Sequence, residues 1–123
     1  MIRGVVNSRL KPTIQVRIRG PQGTEIDLEA VIDTGFTKTL TLPALVITAL
    51  GLTPQSLGRI TLADGTEVIF DEYEAEIEWE GQWRSVLVSE MGDEVLIGMR
   101  LLADYGLRID VVPGGEVVIT AIP

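Results

Sequence analysis

The chain contains no cysteine and no histidine. No disulfide can staple it, and zinc sites built on thiolates or imidazoles are excluded. Ser-His and Cys-His nucleophilic machinery is excluded with them. Any catalytic acid or base must be a carboxylate, a lysine, a tyrosine or the amino terminus. Lysine is scarce as well: Lys11 and Lys38 are the only two, and the arginines are scattered. With a net charge of −8 there is no basic patch to meet phosphate backbones, so nucleic acid is discarded as a partner. No apolar run approaches bilayer length, and the opening "MIRGVVNSRLKP" has no secretory h-region. The expectation is cytoplasmic residence with no membrane partner.

What is present is a chain of 123 residues, 46% of them hydrophobic. That is enough for one domain with a real core, 1–123, and too little for two. No linker, low-complexity tract or long-period repeat interrupts it. The dominant pattern is period-two alternation, which marks half-buried strands. "TIQVRIR" (13–19) and "EIDLEAVI" (25–32) flank the turn "GPQG" and predict a hairpin with Ile14, Val16, Ile18, Ile26, Leu28, Ala30 and Ile32 inward. "GRITLADGTEVIF" (58–70) predicts a second hairpin with Asp64-Gly65 at its tip. In "DEYEAEIEWEGQWRSVLV" (71–88), Tyr73, Ala75, Ile77 and Trp79 alternate with Glu72, Glu74, Glu76, Glu78 and Glu80. "LPALVITALGL" (42–52) and "MRLLADY" (99–105) are expected as short helices, stopped by Gly51 and Gly106. "VLIG" (95–98), "LRIDVV" and "EVVITAI" complete the strands. Many short strands, two short helices and no βαβ alternation imply an all-β, barrel-like domain.

One stretch resists a purely structural reading. In "AVIDTGFTKTL" (30–40) an apolar run carries the chain straight into Asp33. A carboxylate ending a buried strand is costly to desolvate, so something should require it there. Asp-Thr-Gly arises by chance in roughly one chain in thirty to fifty of this length, and alone it reads as a turn. Its context is more informative. A second strand ends in "LIG" (96–98), some sixty residues on, and the "ADGT" hairpin tip lies about midway between them.

This order of motifs resembles the retropepsin-like aspartic proteases, the single-domain homodimeric branch of the pepsin clan. In that family an Asp-Thr/Ser-Gly loop follows a strand, a β-hairpin flap comes next, and an apolar-apolar-Gly strand then enters a short helix. "VLIGMRLLADYGLRID" is similar to that last element, and the resemblance runs from about Thr13 to Ile119. It implies a closed acid-protease barrel with one or two short helices. It further implies an endopeptidase in which two facing carboxylates share one proton and activate a water, with no cofactor and no metal. Only one Asp-Thr-Gly is present, so one chain supplies half a site. Asp33 then makes sense if two chains meet about a two-fold axis. By resemblance Asp33, Thr34 and Gly35 are the catalytic loop, with the Thr34 hydroxyl bonding across the dimer. Ala63, Asp64, Gly65 and Thr66 form the flap tip over an extended peptide or protein substrate, and Phe36, Ile97 and Gly98 complete the pocket. The terminal segments "IRGVV" and "EVVITAI" are candidate dimer strands by the same analogy.

Two departures from the family pattern stand together. Retroviral members carry Ala then Asp after Asp-Thr-Gly, and Arg after the later apolar-apolar-Gly; here those positions are Phe36, Thr37 and Met99. Phe36 reads equally as a pocket wall or as a core or interface aromatic. Other signals carry less. The glutamates at 72 to 80 share one strand face and read as a solvated outer surface rather than a metal or basic-partner site. Trp79 and Trp83 are expected to pack the barrel. Lys38, Tyr73 and Tyr105 are the other conceivable bases, none with a partner visible in sequence. Two rivals to the enzyme reading remain: a catalytically silent dimeric binding or scaffold module on the same fold, and a monomeric β-barrel interaction protein.

Overall fold

The computed structural model describes residues 1–123. Ten strands and one helix follow one another as β1 (Ile2–Val6), β2 (Pro12–Arg19), β3 (Glu25–Ile32), β4 (Leu40–Leu42), α1 (Ala44–Leu50), β5 (Pro54–Thr61), β6 (Glu67–Trp79), β7 (Gln82–Glu90), β8 (Leu96–Ile97), β9 (Tyr105–Ile109) and β10 (Glu116–Ala121). Strands β2, β3, β8, β4, β7 and β6 hydrogen-bond in that cyclic order, and the pairing of β6 with the end of β2 closes the ring. Closure removes the edges that an open sheet would expose. Strand β5 hangs from β6 as a hairpin arm, and β1, β10 and β9 continue from the start of β2. No helix is long and apolar enough to cross a membrane.

The alternation read from the sequence is what fills the barrel. Ile14, Val16, Ile18, Ala30, Ile32, Tyr73, Ala75, Ile77 and Trp79 belong to one cluster of 22 buried residues, joined by Leu40, Val88 and Ile97. Full burial of each large aliphatic side chain stabilises the fold by about 1.5–3 kcal/mol before chain entropy is counted. The turns follow their chemistry. Glu80 and Gly81 both have positive φ, which suits the two-residue turn joining Trp79 to Gln82. The β5/β6 tip is longer: the Gly65 N–H donates to Leu62 O, Gly65 sits at φ +88°, and the Leu62 N–H donates to Thr66 O. This is a type I turn closed by a left-handed glycine, not a bare Asp-Gly turn.

Several expectations are corrected. The segment 99–104 is a series of turns rather than a helix, so α1 is the only helix. The chain reverses at Asp104 (φ 73°), a residue type that tolerates the left-handed region, and Gly106 lies inside β9 opposite Thr120. Trp83 does not pack the barrel: it is half-buried on the outer face, its ring 4.0 Å from the Arg19 guanidinium. Glu72 leaves the solvated stripe altogether and is only 5% exposed. The terminal strands β1 and β10 pair with each other within the chain, Ile2 opposite Ile119 through Val5 opposite Glu116.

Two parallel pairs, β3 with β8 and β4 with β7, were not legible in the alternation. They arise because β8 inserts between β3 and β4, so the loop that joins β3 to β4 must pass over the end of β8. Four backbone hydrogen bonds fasten that crossing: Asp33 N–H to Ile97 O, Gly98 N–H to Thr39 O, Met99 N–H to Phe36 O and Arg100 N–H to Lys38 O. Gly98 lies directly beneath. A Cβ there would run into the Lys38 carbonyl and stand 2.7 Å from the Phe36 ring. The carbonyl is backbone and cannot swing aside, so Gly98→Ala is expected to cost about 3 kcal/mol, at the upper end for overpacking. Urea denaturation checks this against Gly106→Ala, whose Cβ would meet nothing nearer than 3.7 Å and which is expected to stay within about 1 kcal/mol of the wild type.

Candidate active site

Asp33 leaves the last residue of β3 and turns at once. Its carboxylate Oδ1 accepts the Gly35 N–H at 2.9 Å, and its carbonyl accepts the Phe36 N–H at 3.1 Å. The aspartate therefore shapes its own loop, which is the turn chemistry expected of Asp-x-Gly. Asp33 is half-buried, while Thr34 and Gly35 are exposed. Phe36 turns back and is 7% exposed, its ring against Gly98. The Asp-Thr-Gly and Leu-Ile-Gly motifs, sixty residues apart in sequence, are thus in contact. Ile97 reaches the site only by its carbonyl, which holds the Asp33 N–H, because its side chain is fully enclosed in the core.

Across from this loop stands β5. It is the outermost strand on its side of the sheet, so one edge is unpaired. A cleft of about 470 Å³ separates the two, lined by Gly35, Phe36, Thr37 and Lys38 on one side and by Arg59 through Ala63 on the other. Asp33 does not line the cleft itself but adjoins it through the bond from the Gly35 N–H to its carboxylate. Ala63, Asp64, Gly65 and Thr66 are all exposed at the hairpin tip. The Asp64 carboxylate accepts the Thr66 N–H at 2.9 Å.

Thr37 and Met99 are both exposed, yet Met99 still donates its N–H to Phe36 O. The other conceivable bases are engaged elsewhere. Burial, with the Glu90 hydrogen bond behind it, pushes the Tyr73 phenol up. The Glu80 hydrogen bond, with burial behind it, pushes Tyr105 up. Both effects disfavour a phenolate, so neither tyrosine is suited to act as a base. Lys38 is bound to Glu72 at 3.2 Å. That partnership was invisible in the sequence, where Glu72 is one of five alternating glutamates; only its position opposite Ser56, under the hairpin, sets it apart.

The tip turn carries a pH signature. The Thr66 backbone N–H, and then its hydroxyl, hold the Asp64 carboxyl below its ordinary range. A folded-state value below the unfolded one means the stabilisation is complete above the ordinary carboxylate pKa and is lost as pH falls through the folded value. Exchange of the Gly65 and Thr66 amides, corrected for intrinsic rate, is therefore expected to speed up in strongly acidic solution. Asp64→Asn keeps the acceptor oxygen and cannot titrate, so its tip amides should show no such step.

No protein-family profile matches the sequence, and no curated protein matches it. Solved structures do match the fold. A retropepsin-like aspartic protease from Rickettsia conorii is similar over 99% of this chain and 92% of its own, with a TM-score of 0.61 and 17% identity. The EIAV protease, solved with the inhibitor HBY-793, is similar over 76% of this chain and 86% of its own, with a TM-score of 0.55 and 21% identity. The Simian Foamy Virus (mac) protease aligns over 73% and 90%, with a TM-score of 0.52 and 20% identity. The closed barrel, the crossed loops and these likenesses together assign the chain the retropepsin-like aspartic protease fold.

Proposed function

We propose that the chain, as a single retropepsin-like domain over residues 1–123, is an aspartic endopeptidase that works as a homodimer. The observation that carries the reading is the half-site. The Asp33 carboxylate holds the N–H of Gly35 at 2.9 Å, and Gly35 lines a cleft shared with the end of β5, an outermost strand. No second carboxylate loop of the same kind accompanies it in the sequence.

In the dimer the two Asp33 carboxylates face each other and hold one proton between them, because like charges this close cannot both ionise. The ionised member takes a proton from water, whose oxygen attacks the scissile carbonyl carbon, while the protonated member donates to the carbonyl oxygen. Collapse of the resulting diol breaks the C–N bond, and a proton passes to the leaving nitrogen. The water supplies every atom added, so the chemistry requires no cofactor. The exposed Thr34 hydroxyl is free to bond across the two-fold axis. An extended peptide lies between residues 35–38 and the edge of β5, taking strand-like hydrogen bonds, with the 63–66 tip above it.

The test is cleavage of a diverse peptide pool by the wild type and by Asp33→Asn at matched dimer content. Cleavage by the wild type, with a loss of at least about 100-fold in the variant, is the expected outcome. Dimers that leave the pool intact would shift the reading to a silent scaffold, and a sedimentation profile of monomer alone at micromolar concentration would remove the dyad. Activity is expected to favour mildly acidic solution. A rate still climbing above about pH 8 contradicts a shared proton.

A further inference from the structure

Glu72 is the only acidic or basic residue buried in the molecule. Its neighbours on the same strand face, Glu74, Glu76 and Glu78, are open to solvent or partly so. What covers it is assembled from three segments. Lys38, five residues after Asp33, reaches its Oε2 at 3.2 Å, and the Ser56 hydroxyl of β5 donates to its Oε1 at 3.1 Å. The Lys38 ammonium also lies 5.7 Å from the centre of the Phe70 ring. Gly58 completes the enclosure, since a Cβ there would stand 2.5 Å from Phe70 and 2.6 Å from Glu72 Oε2. Ser56 is the register partner of Glu72, and Gly58 that of Phe70. The cluster therefore sits at the root of the β5/β6 hairpin, on the side facing the cleft.

Lys38 is held from the other side as well. Its carbonyl accepts the Arg100 N–H at 3.2 Å and rests on Gly98. One residue thus touches the Asp33 loop, the Gly98 crossing and the hairpin root. An ion pair with a buried carboxylate and a part-buried ammonium, as here, contributes little net stability against an apolar pair of similar size, because desolvation offsets the attraction; the best-attested use of such a pair is to fix geometry. The hairpin needs such a fixing point. Beyond Phe70 its inner face offers only the part-buried Ile60 and Val68, and residues 61–67 are all exposed.

We propose that Lys38 and Glu72 are positioning residues of the cleft: the pair ties the root of the β5/β6 hairpin to the loop carrying Asp33 and so sets the height of the hairpin above a bound peptide. The functional half of this proposal rests on the peptidase reading; the tether itself does not. Neither residue acts on the scissile bond.

Two variants of the full chain test it. Lys38→Met/Glu72→Leu replaces the pair by apolar groups and leaves no buried charge unpaired, so the fold survives. Lys38→Arg keeps the cation. Hydrogen exchange is read amide by amide. In the apolar pair, amides of residues 57–70 are expected to exchange about ten-fold faster, with β2 and β3 unchanged, and Lys38→Arg should restore most of the protection. On cleaved peptides the loss in kcat/KM is expected in KM, by a similar factor. Unchanged exchange in the hairpin overturns the tether, as does acceleration spread evenly over barrel and hairpin, which marks the pair as merely structural. A wild type that cleaves while the apolar pair keeps its KM overturns the functional half alone. A wild type that cleaves nothing removes the peptidase reading and the functional half with it, and the exchange data still decide the tether.

Discussion

The barrel depends on a crossing of backbone over backbone. The 33–39 loop passes across the end of β8, a strand of two residues, and the two segments exchange four hydrogen bonds. Without that exchange β8 would pair for too short a length to hold a place between β3 and β4. With it, β8 becomes the wedge that splits a would-be hairpin and completes the ring. Gly98 makes the approach feasible because a side chain at that point has nowhere to go. The same contact sets the aspartate. Its N–H is tied to β8, its carbonyl to Phe36 and its carboxylate to Gly35, so the position of Asp33 is dictated by the closure of the fold. Architecture and site are in this sense one object.

Much of the architecture was legible because it is local. The hairpin of β2 and β3 is written in alternation and a Gly-Pro-Gln-Gly turn, and the buried face of β6 in Tyr73, Ala75, Ile77 and Trp79. Two failures share a cause in local ambiguity. "MRLLADY" has the composition of a helix, yet Leu101 and Leu102 are both buried and the chain must reverse within a few residues to begin β9. Tertiary demand overrode propensity. Trp83 sits on the same strand face as the glutamates, and its large apolar surface is covered by stacking with Arg19 rather than by the core. The parallel pairs and the burial of Glu72 were illegible for a different reason. They depend on contacts between segments far apart in sequence, and no window of neighbouring residues records them.

The candidate site divides along the same line. Asp33, Thr34 and Gly35 could be read as a loop, and "LIG" as its distant counterpart, because the motif order carries the information. The wall contributed by Arg59 to Ala63 and the role of Lys38 could not be read, since both follow from where the hairpin comes to rest. Positions 37 and 99 depart from the pattern that the motif order resembles. Met99 holds the carbonyl of Phe36 through its main-chain N–H, a contact its side chain does not enter.

The length of β6 has a mechanical consequence. Its 13 residues serve without a break as a stave of the barrel and as one arm of the hairpin. The buried face switches between Glu72 and Tyr73, which marks the point where the strand leaves the barrel wall. Because no loop interrupts β6 there, and only β5 shifts register opposite, between Pro54 and Ser56, the hairpin has no door-like hinge in its longer strand. It can only flex as a cantilever, by twisting a strand whose far half is clamped. From Glu72 to Asp64 the free arm is about 26 Å long, so a twist or bend of about 10° at the clamp carries the tip some 4–5 Å, roughly one strand spacing. Stiffness at residue 72 is thereby converted into reach at residue 64.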